Sequence, residues 1–355
     1  MRRAVSITGA GVLSPAGCDW PTFAATLREG RAANPAPFDG VEGAPVCHRI
    51  SDPAALDAAP VQEGEPLGRL ASTAVRDALA MAGICADGRE RLDDVGLVMS
   101  TALGPSTAVE AYLERLREKG PRAARPAQFV DTLLSMAASR TGIALGLRGS
   151  TSALAGSSAI EVAFDWVRSG REHTVVAGGA DYLSPKCLRY LAALAGRSNA
   201  RRAVPAQAAA FLLLEASDHA GARGAQVLGE VLGTGGASGP QEATVPWHAA
   251  STGAAFGLAM EEAMSDAGVA ASDVAAVVLA AGDDTSEAYE TTAVASAFGA
   301  GLRLLRPKRI FGEPLAAGEG LGLLAALALG EPGSLVVVNS LEMGGAVTSC
   351  VVRCS

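Results

Sequence analysis

The chain repeats its own pattern. Residues 68–102 run as an Ala-rich helix stopped by Gly83, then a polar link, then Asp94-Val95 opening an apolar strand. Residues 253–282 do the same, with a helix stopped by Gly268 and Asp273-Val274 opening the strand. A second pair follows in the same order: residues 153–181 and 314–342 each give a small-residue helix tip, an apolar helix, a glycine turn and an apolar strand. Two like halves in one order imply duplication inside one fold. Apolar strands alternating with helices imply mostly parallel sheets covered on both faces. The boundary is expected near residues 217–226, dividing the chain into halves 1–220 and 221–355. A coincidence of Ala-rich helices is the bland alternative.

Composition agrees with a large two-part α/β unit. Of the 355 residues 49% are hydrophobic but only 4% aromatic, and 42 are glycine, so backbones are expected to pack closely. The net charge of −8 argues against a nucleic-acid binder. Two basic clusters stand out, Arg115, Arg117, Lys119, Arg122 and Arg125, and Arg303, Arg306, Lys308 and Arg309. Each reads first as a solvated face and second as a docking patch for an acidic protein. The six cysteines show no CxxC spacing, which points to neither a zinc site nor a disulfide scaffold and fits a cytoplasmic protein. No stretch has the roughly 18 uninterrupted apolar residues of a membrane span. The most apolar run, 320–330, is expected to be a core helix, and the opening VSITGAGVL a buried strand rather than a signal peptide.

The stretch TSALAGSSAIEVAFDWVRSG, residues 151–170, poses the functional question. It reads as a helix built to present a nucleophile at its tip, yet the tip holds none of the expected kind. Here the chain resembles the β-ketoacyl synthases of the thiolase fold. The residues that carry the likeness are RRAVSITGAGVLSPAG at the start, GLRGSTSALAGSS through VVAGGAD at the elbow, RGAQVLGEVLGTG opening the second half, RPKRIFGEPLAAGEGLG, and the closing NSLEMGGAVTSCVV. The resemblance implies two βαβαβαββ halves in a layered α-β-α-β-α sandwich, and no cofactor.

That family's chemistry needs a thiolate cysteine, two histidines that donate to a thioester oxygen, and a supporting lysine. The matching positions here are Ala153 for the cysteine, Ala281 and Glu313 for the histidines, and Lys308 for the lysine. The Phe-Gly-Phe gate becomes Leu341-Glu342-Met343. Ala153 forms no thioester, and a carboxylate at Glu313 repels an enolate by several kcal/mol at about 4 Å and intermediate dielectric. Lys308 is the expected local partner of Glu313. His48, His173, His219 and His248 fall in no matching motif and read as surface or structural residues.

A family branch with these losses is the chain length factor of type II polyketide synthases, which pairs with an active ketosynthase and closes the far end of its acyl tunnel. The chain is similar to such a subunit, with Ala153 where glutamine is usual and trimmed loops, as in a branch paired with synthases of polyene or aryl-polyene chains. The implied partners are an active ketosynthase and acyl carrier protein. The implied dimer contact is the strand around GLRGSTS, and the implied tunnel lies along residues 106–116 and 129–140, where Ala108 and Ala111 leave room and Tyr112, Phe129, Leu133 or Met136 form the floor. These are equally readable as core positions of an amphipathic helix. Two rival readings remain, an enzyme using Ser157 or Ser158 as nucleophile, and a degenerate acyl-binding homodimer.

Overall fold

The computed structural model describes residues 3–38, 44–57, 59–61, 65–86, 88, 91–156, 158–195, 203–239 and 250–355. Its main sheet has ten strands. The first five are β1 (Val5–Leu13), β2 (Val95–Thr101), β3 (Thr151–Ala155), β4 (Thr174–Asp181) and β5 (Ala208–Ala216). The next five are β6 (Gly229–Ser238), β7 (Val274–Val278), β8 (Arg303–Leu305), β9 (Leu335–Leu341) and β10 (Ala346–Cys354). Across the sheet they run β8-β7-β9-β10-β6-β1-β5-β4-β2-β3.

Each set of five therefore has the order third, second, fourth, fifth, first. In each the second strand pairs parallel with the third and fourth, and the fifth runs antiparallel. The duplication read from the sequence is a duplication of topology. The two fives are joined through β1 and β6, which pair antiparallel at Val5–Val231, Ser6–Glu230 and Ile7–Gly229.

Among the described residues, nine helices of at least ten residues accompany these strands. They include α1 (Trp20–Glu29), α2 (Pro66–Met81), α3 (Ser106–Lys119) and α4 (Met136–Leu145) in the first part of the chain. Later come α5 (Ala159–Ser169), α6 (Ala250–Ala267), α7 (Asp284–Phe298) and α8 (Gly318–Leu329). A further helix, Pro185–Ala195, lies between β4 and β5. Helices α5 and α8 occupy the middle layer, where Ile160, Phe164, Leu321 and Leu324 pack with Val5, Leu214, Val336 and Val352 from both halves of the sheet. Helices α2 and α4 cover the first half outside, and α6 the second. The layers are thus α-β-α-β-α.

Helix α8 is apolar on every side, as a helix between two sheets must be. Leu321, Leu323 and Leu324 are fully buried, each contributing roughly 1.5–3 kcal/mol of transfer free energy. The scarcity of aromatics has a matching cause. A Cβ on Gly9 or Gly11 of β1 would lie 2.1 Å from the Ala78 carbonyl oxygen or 1.8 Å from that of Ala74, so β1 meets α2 backbone to backbone. The second half repeats the device, with Gly235 of β6 placed so that a Cβ would lie 2.4 Å from the Ala259 oxygen of α6. Small residues on facing elements allow an approach that side chains would block.

Candidate functional site

Parallel strands gather their carboxyl ends on one side of a sheet, and crevices form there. A cavity of about 260 Å³ lies at that edge. Its lining comes from Ala102 just past β2, Ala155 and Gly156 at the end of β3, the turn of Glu313, Leu315 and Ala316 before α8, and Leu341, Glu342, Met343 and Gly344 at the end of β9. Three segments far apart in sequence, the elbow, the Glu313 turn and the gate turn, are thus brought to one place.

The residue at the elbow is not the one expected. Ala153 was placed at a helix tip by its motif, but it lies in the middle of β3, paired with Met99, and α5 begins only at Ala159. Its methyl packs against the outer core of Leu70, Leu79 and Phe211. Ala155 and Gly156 line the cavity in its stead. Gly156 turns the chain with φ of +116°, and a Cβ there would lie 2.5–2.6 Å from the Glu342 carboxylate. The gate-turn carboxylate therefore covers the elbow.

Glu313 faces the cavity with its charge already matched. Lys308 Nζ donates to both of its oxygens at 2.9 and 2.7 Å, and the Leu315 N–H donates to Oε1 at 3.2 Å. The Lys308 side chain is only 8% exposed, so little water competes for it. Ala281 is buried, and its N–H donates to Glu290 Oε2 at 2.8 Å. Its neighbour Gly282 abuts Glu313: a Cβ there would lie 3.0 Å from Oε2. The elbow thus brings Ala155 and Gly156 to the cavity, with the Glu313–Lys308 ion pair beside them.

Three buried carboxyls escaped the sequence reading. Glu319, on the first turn of α8, accepts from the Ile160 N–H at 3.1 Å and so caps α5. Burial, with Glu161 and Glu342 nearby, pushes its pKa well above the usual carboxylate range. Asp181 accepts from Thr101 Oγ1 and from the N–H groups of Ala102, Leu103 and Ala316. It thereby ties two cavity walls together, and burial raises its pKa to about 6 despite those donors. Glu290 accepts from Ala280, Ala281 and Asn339, and burial raises its pKa to about 7. Acidic residues inside otherwise uncharged apolar runs, as in AAGEGLGLLAAL, are the available signal.

The six tunnel candidates stand apart from the cavity. Ala111, Phe129 and Leu133 are exposed, whereas Ala108, Tyr112 and Met136 are half-buried, and none lines the cavity. Tyr112 and Phe129 do meet, with ring centroids 5.9 Å apart. The stretch 129–140 is not one element but a short helix, Pro126–Val130, followed by a turn and α4. Nearby Leu113 and Ile143 are 57% and 75% exposed, and among the described residues β3 is the terminal strand of the sheet, paired only with β2.

The remaining described candidates do not line the cavity. Arg306 and Arg309 both pair with Glu287, at 2.7 and 2.9 Å, rather than forming a free docking patch. His48 is buried, and that burial lowers its pKa; His173 bonds Arg3 and His219 bonds Glu215. Ser158 precedes α5 without a side-chain cap bond, while Ser157 and His248 lie outside the described residues. Among the described residues no helix is long and apolar enough to cross a membrane.

Residues 2–220 match the family described as Beta-ketoacyl synthase, N-terminal domain. Nodulation protein E of Rhizobium sp. (strain N33) is 30% identical over 320 residues, 84% of this chain and 78% of that protein. The 3-oxoacyl-[acyl-carrier-protein] synthase 2 of Vibrio cholerae is 32% identical over 196 residues, 49% of this chain and 47% of the other. Among solved structures, the ishigamide ketosynthase/chain length factor superposes with a TM-score of 0.86 at 20% identity, covering all of both chains. A type II PKS acyl-carrier protein in complex with its ketosynthase bound to the hexaketide gives 0.84 at 18% identity, again over all of both chains. The architecture is that of the thiolase-like ketosynthases, and the chain belongs to the beta-ketoacyl synthase family.

Proposed function

We propose that this chain is a non-catalytic chain length factor that pairs with an active ketosynthase and helps shape the acyl tunnel in which a polyketide, of polyene or aryl-polyene type, grows. The observation that carries this reading is the chemistry of the centre. The elbow presents Ala155 and Gly156, which offer no nucleophile, and Glu313 is paired with Lys308 at 2.7 Å where the resemblance calls for a neutral histidine.

Two further features support pairing. An edge strand leaves a row of backbone donors and acceptors that invites a strand from another chain. Here β3 is that edge, and Leu113, Phe129, Leu133 and Ile143 are exposed in the isolated chain. In this reading Ala108, Ala111, Tyr112, Phe129, Leu133 and Met136 meet the partner and contribute to its tunnel, and acyl carrier protein delivers substrate chiefly to the partner. The chain acts in the cytoplasm.

The test is a tagged pull-down from the native cell with intact mass and stoichiometry. A one-to-one complex with a ketosynthase that keeps cysteine and both histidines is expected. A stable homodimer that acquires an acyl adduct from carrier-protein thioesters would overturn the reading.

A further inference from the structure

Helix α3, which the proposed role sets beside the acyl chain, is held to the body of the protein by little apolar burial. Of its 14 residues only Ser106 is buried, whereas α2 buries ten of its 16. Helices in proteins draw most of their stability from tertiary packing, so the placement of α3 falls largely to polar bonds from other elements.

Two of these bonds come from the segment after β4: Ser184 Oγ donates to Glu110, and Lys186 pairs with Glu114. The second pair is exposed on both sides, 46% and 51%, and so contributes little. The third bond is the buried one. Glu65 is 8% exposed, and its Oε2 accepts from the Ala108 N–H at 2.6 Å. Pro105, which precedes α3, supplies no side-chain cap, so a carboxylate from another element satisfies the positive end of the helix.

Glu65 is itself carried rigidly. It directly precedes Pro66, the first residue of α2, and has the extended backbone, φ −68° and ψ 130°, that a residue before proline prefers. Leu67 and Leu70 in the following turn are fully buried. The head of a core helix thus bears the acceptor that fixes the first turn of a surface helix.

We propose that Glu65 is a positioning residue for product length: by anchoring α3 it keeps the length-setting surface in one place without touching the acyl chain, an inference that rests on the chain length reading. Its Oε1 has no hydrogen-bond partner among the described residues, so a glutamine can keep the acceptor for Ala108 and break no other bond.

Hydrogen exchange of the full chain tests the anchor. In Glu65→Ala the Ala108 amide is expected to exchange at least about tenfold faster, the scale of one lost bond to a charged acceptor, and in Glu65→Gln to stay near the parent. Unchanged protection in Glu65→Ala overturns the proposal. Mass spectrometry of products from the complex with its ketosynthase tests the consequence. Glu65→Ala is expected to shift a narrow distribution of chain lengths to a broad one, and Glu65→Gln to keep the parental distribution. Val352→Ala, a core substitution in the second half of the sheet, also lowers stability but should leave chain lengths unchanged. A parental distribution in Glu65→Ala, or equal broadening in Val352→Ala, overturns the proposal. Failure of the chain length reading looks different: no ketosynthase co-purifies, or Ala108→Phe also leaves product length unchanged, and the length-setting role of Glu65 falls with it whatever the exchange result.

Discussion

The carboxyl of Glu319 caps the amino end of α5 by accepting from the Ile160 N–H at 3.1 Å, so the positive end of that helix is satisfied from within the core. Together with Asp181 and Glu290 it forms a set of buried carboxyls whose folded pKa values lie above their unfolded ones. The folded state then binds more protons than the unfolded state between the two values, and stability falls as pH rises through that range. For Glu290, moving from 4.5 to about 7, the loss is on the order of 3 kcal/mol. Urea midpoints should therefore decline from pH 5 to pH 8. Glu290→Gln should start lower but show a shallower slope; an unchanged slope would show that Glu290 does not titrate in this window.

Asp181 gathers four donors that no other group in its surroundings replaces. Asp181→Ala leaves the buried N–H of Ala316 and the half-buried N–H groups of Ala102 and Leu103 without this acceptor, at up to about 1–3 kcal/mol each before relaxation. A loss of roughly 3 kcal/mol or more in unfolding free energy is expected. A denaturation curve with an unshifted midpoint would place those groups in contact with water.

How far the sequence reveals this centre depends on the range of the forces involved. The duplicated order of strands was legible because hydrophobic period and glycine stops are local. So was the Glu313–Lys308 pair, five residues apart. The position of Ala153 was not, because a motif fixes which residues follow one another and not where a strand ends; β3 keeps its pairing with β2 through Ala155. Glu290 and Asp181 carry no local signal of burial, since their partners at Asn339 and Ala316 lie 49 and 135 residues away. The helix α3 showed an amphipathic pattern, but a pattern alone does not say whether the face it marks is covered by the same chain or by another.

Gly156 should be intolerant of a side chain for two separable reasons. Its φ of +116° disfavours any L-residue, and a Cβ would overlap the Glu342 carboxylate. Gly156→Ala is expected to destabilise the protein by about 1–3 kcal/mol. Glu342→Ala in the same chain should return only the overlap part, giving a favourable coupling in a double-mutant cycle. Strict additivity would mean that Glu342 already swings clear of the elbow.

A cysteine at position 153 should not supply ketosynthase chemistry. Ala153 faces the outer core from within β3, and the cavity is lined by Ala155 and Gly156. A thiol introduced by Ala153→Cys sits away from the helix end and beside no base, conditions that leave it largely protonated. Intact mass after incubation with an acyl carrier protein thioester is expected to show no acylated chain. A stoichiometric adduct would require that β3 end earlier in solution, bringing residue 153 to the elbow.

The chain length role makes the most direct demand on α3. Ala108 is half-buried, its N–H held by Glu65 Oε2 at 2.6 Å, and Ala111 is exposed one turn further along. Neither lies in a packed core, so enlarging either to phenylalanine should change stability of the isolated chain by less than about 1 kcal/mol. Under the proposed pairing, the added ring would project toward the partner and occupy space that a growing chain otherwise fills. Ala108→Phe and Ala111→Phe are therefore expected to shift products toward shorter chains, read by mass spectrometry of the released polyketide, with the rate of the first condensation unchanged. If both variants assemble normally and give the parental chain length, α3 lies outside the tunnel and the length-setting surface must be sought elsewhere on the exposed face near β3.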